Sequence, residues 1–217
     1  DEDRLQKRFA LSVSDLQRGA ERIAFCLMAD RQLGLSATRE EIEASLLREG
    51  FSSASDVDRI LDGLDYIKLG RIENTSVAYP QQIFNFAHRR LQEHLATELL
   101  LREPQRVLRL ELLTNGIWRE TAVVMLQTQS AGALASLLET AVDLTTQLMG
   151  ELIPSEDESR NDLGDSLDNS TSLPQAFPWP VGLYHVLDLL HSGLVRRQEL
   201  VPEALRIVYS VVVALVW

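Results

Sequence analysis

The chain of 217 residues has one cysteine, scattered glycines and few basic or aromatic side chains. Cys26 is alone, so no disulfide forms within the chain and no structural zinc site can be built on paired cysteines. It stands in the apolar run Ile23-Ala24-Phe25-Cys26-Leu27-Met28, which reads as buried core and as a cytoplasmic protein by default. The 11 glycines include no G-x-x-x-x-G-K-[ST] pattern, so the chain carries no phosphate loop with which to hydrolyse ATP. HExxH and G-x-S-x-G are also missing, and Cys26 lies where a thiol is unreactive. Two H-x5-H pairs exist, His88/His94 and His185/His191, but residues six apart on a helix point roughly 120° from one another. The expectation is therefore no enzyme, no metal and no cofactor bound by this chain alone.

Basic charge is short as well. Lys and Arg number 21 against 32 Asp and Glu, for a formal net charge of -11, which repels nucleic-acid phosphate except at a local patch. The terminal run Ile207 to Trp217 is apolar apart from Ser210, yet shorter than the ~20 residues of a membrane span. It reads as a truncated buried helix, with no membrane partner. Asp1-Glu2-Asp3-Arg4 has neither an initiator methionine nor a signal-peptide pattern, so the expectation is a piece of a longer protein.

What is present is helical patterning, with 45% hydrophobic residues to build a core. Residues 1–14 read as a lead-in from a preceding domain. From Asp15 to about Arg31, Leu16, Ala20, Ile23, Ala24 and Leu27 repeat at helical spacing, with Gly34 placed to end the helix. Thr38 and Glu41 make a capping box for a second helix that stops at Gly50. Ser53 or Ser55 caps a third, with Val57, Ile60, Leu61 and Leu64 inward. Tyr66-Ile67-Lys68-Leu69, then Gly70, a polar loop and Ile83–Phe86 read as a β-hairpin. Phe84 and Phe86 alternate onto one core, and the helix of Leu91, Leu95 and Leu99 follows at once. Residues 84–96 look like the hub of this part of the chain.

Three helices, a two-stranded wing and a helix packed behind it give the order of a winged helix-turn-helix domain over 15–102. An all-helical array follows, and the fold class is mainly α. Residues 103–153 form a helical bundle or repeat, with Pro104 as its boundary and Asn115-Gly116 as a turn. Residues 154–179 read as an acidic mobile linker. Its Asp-rich stretch lacks the ligand spacing of a calcium loop. Residues 180–217 supply further helices.

The residues FNFAHRRLQEHLA, followed after a helix by LLTNGIWRETAVVMLQTQ, resemble the distal part of NACHT-type STAND NTPases. The matching positions are Phe84, Phe86, His88, Gln92, Glu93, His94, Leu95, Ala96 and Trp118, with His94 where the family usually has tyrosine or phenylalanine. The resemblance covers about residues 15–128. It implies a regulatory and interaction segment of a nucleotide-dependent signalling switch. ATP or ADP with Mg2+ would be held by an upstream nucleotide-binding domain of the same chain, and other protomers or protein partners would meet the helical array. In that family a histidine at the place of His88 reaches the β-phosphate of ADP and keeps the molecule closed. From the residues alone, His88 has two readings: a ligand contact at a helix start, or a core histidine continuing the Leu91 stripe.

Two alternatives come from other classes. A winged helix can bind DNA, but the helix that would enter the groove carries Asp56, Asp58, Asp62 and Asp65 against Arg59. The chain can also be a helical interaction scaffold with no switch role.

Overall fold

The computed structural model describes residues 2–51, 57–73, 81–150 and 181–216. The chain is mainly helical, with one small antiparallel sheet, and divides into two units, Asp1–Val107 and Leu108–Trp217.

In the first unit, the stretch that reads as a polar lead-in begins with α1 (Glu2–Phe9). Its Leu5 is buried, and the Phe9 ring lies 5.6 Å from Tyr66, with the Arg8 guanidinium 4.9 Å over the same tyrosine. Periodicity misses α1 because it spans barely two turns and shows only two large apolar residues. Ser12 then accepts a hydrogen bond from the Asp15 N–H and opens α2 (Val13–Ala29), two residues ahead of the expected start. The predicted inward residues Leu16, Ala20, Ile23, Ala24 and Leu27 are all buried, as are Phe25, Cys26 and Met28 on the other faces. Every residue from Ile23 to Met28 is buried, so this half of the helix must be surrounded. α2 packs on α3 (Arg39–Arg48), α4 (Val57–Tyr66) and α5 (Arg89–Arg102), so it, rather than residues 84–96, is the centre of this unit.

The capping box at the start of α3 is complete: the Glu41 N–H donates to Thr38 Oγ1 at 3.2 Å and the Thr38 N–H to Glu41 Oε2 at 2.8 Å. Gly50, at φ +74°, closes the same helix. Phe51 N–H donates to the Leu46 carbonyl and Gly50 N–H to Leu47, the paired bonds of a Schellman turn. α4 ends by the same device without a glycine: Leu69 N–H reaches Leu64, Lys68 N–H reaches Asp65, and Lys68 sits at φ +63°. A β-carbon in this conformation costs roughly 1 kcal/mol. Lys68→Gly should therefore raise the unfolding free energy of this unit by about 1 kcal/mol in urea titration, despite the greater freedom glycine brings to the unfolded chain.

That turn also displaces the first hairpin strand. Tyr66 is the last helical residue, and the strand is β2 (Gly70–Glu73), four residues later than the aromatic and β-branched side chains suggest. Gly70 is needed there for space, since a β-carbon on it would come within 2.3 Å of the buried Phe84 ring. β3 (Ile83–Phe86) pairs antiparallel with β2, Gly70 opposite Phe86 and Ile72 opposite Phe84. The hairpin is not alone. Its other edge is covered by β1 (Ser36–Thr38), antiparallel with Ala37 opposite Phe84, giving the order β1-β3-β2 instead of a two-stranded wing. β1 has three residues and no alternation long enough to read; tertiary pairing defines it. Phe84 and Phe86 do share one buried face, with their rings edge-on at 5.2 Å.

The second unit contains α6 (Arg109–Thr114), α7 (Arg119–Thr128), α8 (Ala131–Gly150), α9 (Val181–Leu194) and α10 (Glu203–Val216). Leu112 and Leu113 of α6 are buried, whereas Leu108 and Leu110 are exposed. The Ile117 N–H donates to Asn115 Oδ1 at the expected turn, and Trp118 follows it into the core at 1% exposure. α7 and α9 cross so closely at Gly193 that a β-carbon there would lie 2.6 Å from Leu126. Arg197 Nη1 donates to the Leu126 and Gln129 carbonyls at 2.8 and 2.7 Å, closing the end of α7. Arg119 Nη2 donates to Asp188 at 2.7 Å, a hydrogen bond that raises the guanidinium pKa further. The acidic segment 154–179 lies outside the described residues, as do Ser53 and Ser55.

Candidate functional site

His88 is exposed. It occupies the N-cap of α5 in extended geometry, φ -143° and ψ 138°, and its imidazole makes no capping hydrogen bond. The buried stripe of α5 begins one residue after Leu91, running through Gln92, Leu95, Ala96, Leu99 and Leu100, so His88 stands apart from the core. This removes the core-histidine reading. The shift arises because Gln92, at 2% exposure, takes an inward position that its polarity conceals in the sequence.

The start of α5 is held from both sides. The Leu91 and Gln92 N–H groups donate to the His88 carbonyl at 3.0 and 3.3 Å, and the Ala87 N–H donates to the Leu69 carbonyl at 3.0 Å, joining it to the end of α4. The first N–H groups of any helix lack intrahelical acceptors and carry partial positive charge. Arg89 and Arg90 are exposed beside them, with Arg89 Nε donating to Glu93 Oε1 at 2.8 Å. Imidazole, guanidinium and free N–H groups at one helix end form an environment that favours an anion. His94 is exposed farther along the helix, and Glu93 is half-buried. Of the other residues in the resemblance, Phe84, Phe86, Gln92, Leu95, Ala96 and Trp118 are buried.

A second polar cluster lies where α3, α4 and the entry to β3 meet. Arg39, only 4% exposed at the start of α3, donates Nη1 to Asp58 Oδ1 at 3.2 Å, Nη2 to Asp62 and Nε to Gln82 Oε1 at 3.2 Å. Its backbone N–H also reaches the Gln82 carbonyl. One guanidinium thus ties α3, α4 and the entry to β3 together. Sequence reading assigns Asp58 and Asp62 to an open helix face and overlooks Arg39, because a lone arginine behind a cap residue carries no periodic signal.

A cleft of about 590 Å3 in this unit is lined by Leu11, Ile23, Phe51 and Ile60, together with Arg18 and Arg22. It does not include His88. Cys26 is fully buried, and burial pushes its thiol up to about 12. Native protein at pH 8.5 should therefore react with iodoacetamide on the order of a thousand-fold more slowly than urea-unfolded protein; equal rates would place the thiol at the surface. Among the described residues no three His, Cys, Asp or Glu side chains gather as a metal site requires, and no helix is long and apolar enough to cross a membrane. No family model, curated protein or solved structure matches the chain.

Proposed function

We propose that the first unit is a winged-helix regulatory module of a NACHT-type nucleotide-dependent switch, in which His88 faces the phosphate of ADP held by an upstream nucleotide-binding domain. The observation that carries this reading is the exposed imidazole at the N-terminus of a 14-residue helix whose flank bears Arg89 and Arg90. An imidazole donor and helix N–H groups suit an anion arriving from outside the unit, and the imidazole makes no capping hydrogen bond of its own. The succession of α2, α3, α4 and a hairpin ahead of α5 is consistent with a winged helix, and β1 extends that sheet. The second unit, all helical, is assigned to protein contacts. No catalytic residue is assigned to this chain; the nucleotide and its Mg2+ belong to the upstream domain.

DNA binding is disfavoured by charge. α4 carries Asp58, Asp62 and Asp65 against Arg59, and neither Asp58 nor Asp62 is wholly consumed by Arg39, since each keeps 40% or more of its side chain exposed.

His88→Ala tests the proposal. In the isolated chain it should leave the melting temperature unchanged, because the side chain is exposed and caps nothing. In the intact switch protein it should weaken the closed, ADP-bound state by about 1.5–3 kcal/mol, the worth of a hydrogen bond to a charged group, and so speed ADP release and raise basal activity. ADP release at the unaltered rate would end the phosphate-sensor role.

A further inference from the structure

We draw no further inference here: the strongest candidate, the apolar cleft of about 450 Å3 between α9 and α10 lined by Leu190, Leu194, Val201, Leu205 and Tyr209, carries nothing because nothing in the structure shows what covers it.

Discussion

Replacing Arg102 by methionine should lower the unfolding free energy of the first unit by about 3 kcal/mol, because it strands the carboxylate of Glu21 in the core. Glu21 lies on α2 at 1% exposure, where it pairs with Arg102 from the last turn of α5. Gln17 Nε2 also donates to Glu21, at 3.0 Å, but a neutral amide cannot balance the charge. The two partners are unequal. Arg102 keeps 49% of its side chain exposed, so a guanidinium left alone recovers water, whereas a carboxylate left alone at Glu21 does not. Glu21→Gln should therefore cost only about 1 kcal/mol, the net value of an ordinary hydrogen bond. Urea titration of both variants with unchanged m-values would measure the difference. A Glu21→Gln loss larger than that of Arg102→Met would contradict this account of the α2–α5 contact.

The same reasoning with the signs exchanged applies to the Arg39 cluster. There the cation is buried and the anions are half in solvent: Arg39 is 4% exposed, and Asp58 and Asp62 are 47% and 40% exposed. The double change Asp58→Asn and Asp62→Asn should cost about 2–3 kcal/mol, since the guanidinium keeps Gln82 and the Asp58 carbonyl but loses both compensating charges. Arg39→Met should cost less, about 1 kcal/mol. It removes the buried charge along with its bonds, and the aspartates rehydrate. Because Arg39 joins α3 to α4 and to the approach to β3, the double variant should also speed amide exchange in β1 and β3 ahead of α2. If Arg39→Met proved the more damaging change, the cluster would be held by the geometry of its hydrogen bonds and not by charge compensation.

Both clusters lay outside what the residues alone reveal. Glu21 sits two positions before the apolar run from Ile23, with nothing near it in the chain to mark it as buried, and its partner is 81 residues away. Arg39 follows a cap residue and looks like an ordinary first-turn side chain. Polar groups enter a core only where a distant element arrives with the matching charge, and chain-local patterns do not record that arrival. Of the two readings of His88, the core one rests on a three-residue step back from Leu91 and fails, because the packed face of α5 is centred on Gln92, Leu95 and Leu99.

The sequence by itself determined where α3 starts and stops, because a cap acts within four or five residues: Thr38 with Glu41 and Gly50 with Phe51 close their bonds over that distance. It also determined the shared face of Phe84 and Phe86, a consequence of strand pleating alone. Only the tertiary structure decided that β1 exists, that α2 occupies the centre and that His88 meets solvent. A three-residue strand is defined by the partner it pairs with, and burial depends on which neighbours surround a helix. Whether the first side chain of a helix points inward or out depends on how the helix is rotated against its core, and that rotation was set by the α2–α5 contact.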